Sequence, residues 1–351
     1  MAIFRFSNAV SDAKKIISTY KTIYNELSSA ESFGHDEARD ALVKNSLVSS
    51  SGAIGDEAIR RSVRGDRSRD PLYNQAKMYG EMFRMLGWYK PAQNRLNFRF
   101  TEIASYVSQA DEKTEKKIFE FNFYSITSPS PLVEIKGGNI LRPIQMILKL
   151  AILLDDYISR DEIILAVLTC LNDKTPNAIK EATEIILDAR RNGDIKLKLI
   201  SLGKKENTQI TTLENYTRFP LGALKYCGMA EPKSIKTNYS NRKINVYVLT
   251  DYGKQFVNRF VNRYDLRYEE INEFDIKTKA AFAYLMFLRN LEFLDYEVDD
   301  ETLKLINILE QKCTIIFNKI NVNNSKEIFY SSIQQSPSED FDYIEKLDIN
   351  D

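Results

Sequence analysis

One pattern occurs twice in this chain. In the first copy Met82, Phe83, Met85 and Leu86 end an apolar helix and lead into Gly87, Trp88 and Tyr89, a polar turn follows from Pro91 to Arg95, and Leu96, Phe98 and Phe100 alternate as a strand before the hydroxyl cap Thr101 and Glu102. In the second, Leu221 and Leu224 lead into Cys227, Gly228 and Met229, a longer polar turn runs from Lys233 to Lys243, and Val246, Val248 and Leu249 precede the cap Thr250 and Asp251. Helix, glycine-marked strand, polar hairpin and capped helix is the sequence order of a winged helix. The expected fold is mainly α with small β wings: tandem winged-helix (helix-turn-helix) modules plus a helical C-terminal unit. Two such modules point to a reader of double-stranded DNA before they point to an enzyme.

At 351 residues the chain has room for two or three domains, and 43% hydrophobic with 28% charged residues is ordinary globular composition. No apolar run reaches spanning length, since the best candidate, Ile144 to Leu154, is interrupted by Gln145 and Lys149, so no membrane role is expected. The opening Met1 to Phe6 lacks the basic start and long apolar core of a secretory signal, which predicts a cytoplasmic protein. Cys170, Cys227 and Cys313 are widely separated and read as buried small hydrophobes rather than disulfides or metal ligands. The net charge of zero hides an uneven distribution. Six acidic residues (Glu339, Asp340, Asp342, Glu345, Asp348, Asp351) stand against Lys346 alone from Ser331 onward, which leaves residues 1–330 with a positive excess. Neutrality overall therefore does not exclude a polyanionic partner.

Periodicity predicts helices over 7–30, 36–47, from Asp56 onward and over 72–87, with the serines and glycines from Val48 to Gly55 as a turn. Pro129, Pro131, Gly137 and Gly138 mark a linker. Leu141 to Leu154 reads as an apolar helix with Pro143 in its first turn. Ser159 and Glu162 read as a capping box, and Thr175-Pro176 as the start of a helix reaching Gly193. The resulting organisation is an N-terminal recognition module over 1–125, a linker over 126–140, a second module over 141–265, a helical unit over 266–330 and an acidic, disordered tail over 331–351.

The stretch Leu141 to Arg190, with its proline-started helix, Ser159 cap, Asn172-Asp173-Lys174 break and following helix, resembles the recognition region of the type IIS restriction endonucleases, the FokI-like and AlwI-like enzymes and related nickases. Leu42 to Tyr89 resembles the first recognition subdomain of that group, and Tyr216 to Phe256 holds the later position. The resemblance implies a sequence-specific DNA-recognition component of a restriction-modification system. In that family a separate nuclease domain of PD-(D/E)XK type follows. Here the residues after Asp265 read as helical, so the expected partner is a nuclease domain or subunit elsewhere, and duplex binding itself needs no cofactor.

The candidate DNA-binding residues fall into two groups. Arg60, Arg61, Arg64, Arg67 and Arg69, on or just after the helix from Asp56, can pair with phosphates or guanine edges; Ser49 and Ser50 in the preceding turn and Lys77 on the next helix join them. Glu57, Asp66 and Asp70 are the partners this arginine series would have as a merely solvated face. Lys233, Lys236, Asn238, Asn241, Arg242 and Lys243 form the second group, on the longer wing. Trp88, Tyr89, Phe98 and Phe100 read as wing core. A nuclease site is suggested only by Asp111, Glu134 and Lys136, which would require Mg2+, and that segment lacks flanking apolar strands. His35, the sole histidine, is expected at the surface, which removes histidine-based catalysis. The alternatives are a winged-helix transcriptional regulator dimerising through Glu269 to Asn318, and a complete Mg2+-dependent endonuclease.

Overall fold

The computed structural model describes residues 3–7, 10–47, 49–50, 53–62, 65–92, 96–130, 132–133, 138–237, 239–240, 242–294 and 296–330. The molecule is mainly helical with small sheets. The expected 331–351 tail lies outside the described residues.

The first unit begins with α1 (Ala13–Leu27), started by Asp12, whose carboxylate accepts the Lys14 and Lys15 amides. It buries Ile16, Ile17, Tyr20 and Ile23 at helical spacing. β1 (Phe33–Gly34) and α2 (His35–Lys44) follow, then the two-residue strands β2 (Ser49–Ser50) and β3 (Ala53–Ile54), paired antiparallel, and the short α3 (Asp56–Arg60). The helix expected from Asp56 thus ends at Arg60, and the described residues between Arg60 and α4 (Pro71–Met85) are not helical. Proline opens α4 where its missing N–H costs nothing. β4 (Tyr89–Pro91) and β5 (Asn97–Phe100) form a hairpin, with β1 on the far side of β5, and α5 (Glu102–Gln109) and α6 (Glu112–Tyr124) close the unit. Register pairs Tyr89 with Phe100 and Phe33 with Phe98.

The second unit runs α7 (Pro143–Leu153), β6 (Tyr157–Ile158) and α8 (Arg160–Glu162), which continues into a wider π-type turn over Ile163–Val167. Then come α9 (Ala178–Asn192), α10 (Ile195–Lys205), α11 (Ile210–Tyr216) and α12 (Arg218–Tyr226). The hairpin β7 (Ala230–Ile235) and β8 (Ile244–Leu249) and the helix α13 (Asp251–Asn258) complete it, with β6 beside β8. The helix predicted from Thr175 starts later, at Ala178, and three helices fill the stretch between Gly193 and the hairpin.

The two glycine turns are built alike. Gly87 and Gly228 sit at φ 79° and 73°, a conformation glycine adopts without a Cβ penalty. Trp88 N–H reaches back to the Phe83 carbonyl at 2.7 Å and Met229 N–H to Leu224 at 3.0 Å. The Thr101 hydroxyl donates to the Gly87 carbonyl at 2.5 Å, and Thr250 to Gly228 at 2.6 Å. Their backbone amides bond Trp88 and Met229 carbonyls at 3.1 and 3.0 Å.

One apolar core runs through both units. Phe219 on α12 packs edge-on against Phe6 and Phe123, with ring centres 6.0 and 5.7 Å apart, and Phe119 meets Tyr226 at 5.6 Å. Gly222 lets α12 approach the N-terminal segment so closely that a Cβ there would lie 2.0 Å from the Ser11 carbonyl oxygen. Both ends of the segment read as a linker are packed into the molecule: Ile126, Thr127, Ser128 and Asn139 are buried, and Ser128 and Leu141 exchange backbone hydrogen bonds at 2.8 Å. Trp88, Tyr89 and Phe98 are buried in this core, with Phe100 packed against it.

A second core belongs to the C-terminal helices. β9 (Tyr264–Asp265) pairs parallel with β10 (Ile328–Phe329), and α14 (Ile276–Phe293), α15 (Asp300–Lys312) and α16 (Thr314–Ile320) lie between them in sequence. Phe282, Leu285, Ile306, Leu309, Ile316 and Tyr330 fill this core. Cys227 and Cys313 are buried and all three cysteines are free thiols.

His35 is not a surface residue. It is buried beneath α4, 4.9 Å from the Phe98 ring centre, and a Cβ on Gly80 would come within 2.8 Å of its Cε1. Burial, then the charges of Arg84 and Lys77, depress its pKa to about 4. The α4 backbone approaches closely enough to cover the imidazole, which sequence spacing does not reveal.

Candidate nucleic-acid interface

The arginine-rich segment is held by Asp70, the cap of α4. Its Oδ1 accepts the Leu72 and Tyr73 amides at 2.9 and 3.3 Å and the Ser62 hydroxyl at 2.6 Å, and Arg39 reaches its other oxygen at 3.5 Å. Burial alone would raise the Asp70 pKa, but the Ser62 hydroxyl, the two amides and Arg39 together hold it below the ordinary carboxylate value. Asp70 is thereby held in place by Ser62, Arg39 and the α4 amides.

Around this anchor the predicted residues take different positions. Arg60, the last residue of α3, is exposed. Arg61 pairs with Glu57, and Arg69, 80% exposed at its side chain, with Asp66 at 3.5 Å. Arg67 meets Asp36 at 2.5 Å and lies 5.5 Å over the Tyr73 ring. Such exposed pairs are each worth only about 0–1 kcal/mol, so an incoming phosphate can displace the carboxylate at little cost. Lys77 is exposed on α4. Ser49 and Ser50 lie in β2, with their side chains outside the described residues, and Arg64 is outside them altogether.

The second group lies on the β7–β8 hairpin. Lys233 is exposed beside Glu231 at 3.5 Å, and Lys236, Arg242 and Lys243 are exposed. Asn238 and Asn241 fall outside the described residues. The hairpin is fastened from below. The Tyr239 hydroxyl lies 3.1 Å from that of Tyr157, and the Arg190 guanidinium sits 4.2 Å over the Tyr157 ring and 5.7 Å from that of Tyr239. Arg190 in turn pairs with the fully buried Glu162, whose other task is the capping box: it accepts the Ser159 amide at 2.7 Å while the Ser159 hydroxyl accepts the Glu162 amide at 3.3 Å.

Between hairpin, α8 and α10 opens a cleft of about 750 Å3, lined in part by Ser159, Arg160, Lys196, Lys233, Asn245 and Tyr247. Lys196 pairs with Asp161 across its wall at 2.8 Å. Arg160 and Lys196 line this cleft and are not among the DNA-contact candidates named from the sequence. The available signal was the capping box, because Arg160 directly follows its serine at the helix start.

The residues suggested as a nuclease site are not brought together by anything described. Asp111 caps α6, its carboxylate accepting the Thr114 amide at 2.7 Å, and Glu134 and Lys136 lie outside the described residues. Among the described residues no group of three or more His, Cys, Asp or Glu side chains is placed to hold a metal ion. No described helix is long and apolar enough to cross a membrane.

No protein-family model and no curated protein sequence matches this chain. Solved structures similar to it include those of a restriction endonuclease. The structure of restriction endonuclease FokI aligns over 90% of this chain at 12% identity and a TM-score of 0.41, and FokI bound to DNA over 90% at 14% and 0.38; in both the alignment spans 60% of the FokI chain.

Proposed function

We propose that this chain is the sequence-specific duplex-DNA recognition component of a type II, IIS-like restriction-modification system, built from two winged helices and directing cleavage by a nuclease domain or subunit. The observation that carries the reading is the twice-built turn of helix, positive-φ glycine and hairpin, closed in both copies by a threonine hydroxyl on the glycine carbonyl. Each unit begins with helix, strand and helix, and that strand, β1 or β6, pairs with the outgoing hairpin strand; β2, β3 and α3 in the first unit and α9 to α11 in the second come between. Exposed cations border each hairpin unit: Arg60, Arg69 and Lys77 in the first, Lys233, Lys236, Arg242 and Lys243 in the second. In this reading the modules occupy 1–125 and 141–265, and 266–330 is a helical unit beside them. Phosphate contacts supply register and affinity, and a few side chains read base edges. Binding requires no cofactor, and Mg2+ enters only with a nuclease.

The test is incubation of the purified chain with a random-sequence duplex library, scored for bound sequence and for Mg2+-dependent breaks. A short enriched motif on intact duplex is the expected result. Enrichment of nothing over the input library refutes sequence-specific recognition, and breaks at a fixed offset from a motif refute the division of labour with a separate nuclease.

A further inference from the structure

The positive charge of residues 1–330 is concentrated in one stretch. From Asp194 to Lys243 ten lysines and arginines stand against four carboxylates, an excess of six, whereas residues 1–330 as a whole carry an excess of five. The fold sets the two ends of this stretch against each other across the cleft: Ile195 and Lys196 from α10, Lys233 with Ile244 and Val246 from the β7–β8 hairpin. α10 also turns apolar side chains to water, Leu197 being 69% and Ile200 42% exposed. Ile200 lies one turn on from Lys196, and Lys204 one turn beyond it, so apolar and cationic groups share a helix face. Lys196, Lys204 and Lys205 are exposed. Lys196 is paired with Asp161 at 2.8 Å, but a pair so open to water at the lysine is worth little, and another carboxylate can take its place.

A duplex backbone would meet the cations of this surface and leave Leu197 and Ile200 without an apolar partner. The surface matches instead a segment in which carboxylates and large apolar side chains are interleaved. The stretch from Glu339 to Asp351 has that composition, its six carboxylates alternating with Phe341, Tyr343, Ile344, Leu347 and Ile349 against Lys346 alone. It is also within reach. The chain leaves the described residues at Tyr330, whose carbonyl accepts Asn290 Nδ2 at 3.1 Å. The neighbouring Phe329 ring lies 5.0 Å from the Arg142 guanidinium, at the start of α7. At the other end of α7 the Leu154 carbonyl accepts Arg190, which lies 5.7 Å from the Tyr239 ring in the hairpin turn. One 11-residue helix and these side chains put the exit roughly 30 Å from the hairpin. Extended chain advances about 3.3 Å per residue, so the carboxylates from Glu339 to Asp351 can extend about 30 to 70 Å from Tyr330.

We propose that residues 339–351 dock intramolecularly along α10 and the mouth of the cleft, their carboxylates on Lys196, Lys204, Lys205 and Lys233 and their apolar side chains on Leu197 and Ile200. Docked there, the segment covers cations beside and on the second hairpin, and duplex DNA must displace it to reach them. That consequence rests on the recognition function proposed above, whereas the docking itself rests on charge and apolar surface alone.

The experiment is zero-length carbodiimide coupling of the full chain, dilute enough that chains do not meet, with products of monomer mass mapped by peptide mass spectrometry. Carboxylates of 339–351 are expected on Lys196, Lys204, Lys205 and Lys233 at least tenfold above Lys304, an exposed lysine of α15. Leu197→Ser with Ile200→Ser, which keeps every lysine, is expected to lower that yield at least fivefold. Phe341→Ser with Leu347→Ser, outside the described residues, is expected to lower it equally. Coupling to Lys304 as strong as to α10 overturns the proposal, as does a yield that neither serine pair lowers or a product found only between two chains. Excess random-sequence duplex is expected to suppress the coupling. If duplex binds but the coupling is unspecific, the docking fails and the recognition reading stands; if the coupling is specific and no duplex binds, the docking stands and the recognition reading fails.

Discussion

Arg190 holds Glu162 in a buried ion pair, Nε to Oε1 at 2.7 Å, and the same guanidinium supports the rings of Tyr157 and Tyr239 under the second hairpin. One side chain thus joins the start of α8, the end of α9, strand β6 and the turn between β7 and β8. Arg190 also donates to the Leu154 and Tyr157 carbonyls at 3.3 and 3.2 Å, so its hydrogen-bonding capacity is well used.

Removing one partner of a buried pair leaves the other charge uncompensated. Arg190→Met is expected to destabilise the chain by about 3–5 kcal/mol, and the double variant Arg190→Met with Glu162→Leu by clearly less. Urea unfolding of the two variants checks this; equal losses would mean that packing of the arginine, rather than its charge, fastens the hairpin.

The contact between α12 and the N-terminal segment depends on the missing side chain of Gly222. Because a Cβ would sit 2.0 Å from the Ser11 carbonyl oxygen, Gly222→Ala must push the two segments apart. Despite the higher helix propensity of alanine, a loss of about 1–3 kcal/mol is expected. A variant as stable as the wild type in thermal unfolding would contradict the close approach.

His35 makes stability depend on acidity. Its pKa is about 4 in the folded chain and near 6.5 when unfolded, so below pH 6.5 the unfolded state binds the proton first. Stability is therefore full above about pH 6.5 and falls as pH is lowered toward 4, by about 2 kcal/mol at pH 5. His35→Gln is expected to remove this part of the decline between pH 7.5 and 5, as read from denaturant midpoints. If wild type and variant lose the same stability over that interval, the imidazole is not held neutral by the fold.

For DNA binding, Arg60 and Arg69 are two exposed members of the first basic group. Replacing both by alanine is expected to weaken duplex binding and to reduce the slope of log affinity against log salt by about 0.9 for each phosphate that is no longer neutralised. The same holds for Lys236 and Lys243 on the second hairpin. Unaltered affinity and slope in both double variants would remove these two surfaces from the interface.

The parts of the fold legible in the sequence are those fixed by neighbours along the chain. The Ser159 capping box spans four residues, the glycine turns and their threonine caps follow from backbone geometry, and the apolar spacing of α1 declares which face is buried. These interactions form wherever the local chain forms, so their residues advertise them. The reach of the arginine series was less legible: Asp66 and Glu57 could be named as partners, but the assignment of Asp70 to Arg39 and Ser62 joins residues 31 and 8 positions apart.

What tertiary structure alone decided is the set of groups taken out of water by distant elements. Gly80 covers His35, Ser11 meets Gly222, and Arg142 reaches the Leu266 carbonyl 124 positions away. Gln145 and Arg267 are buried beside one another's elements only because α7 and the strand at Tyr264 are brought together. Desolvation depends on how much of the whole molecule surrounds a group, a property that neither residue type nor spacing carries, and it is desolvation that turns an ordinary histidine or arginine into a buried base or a structural pair.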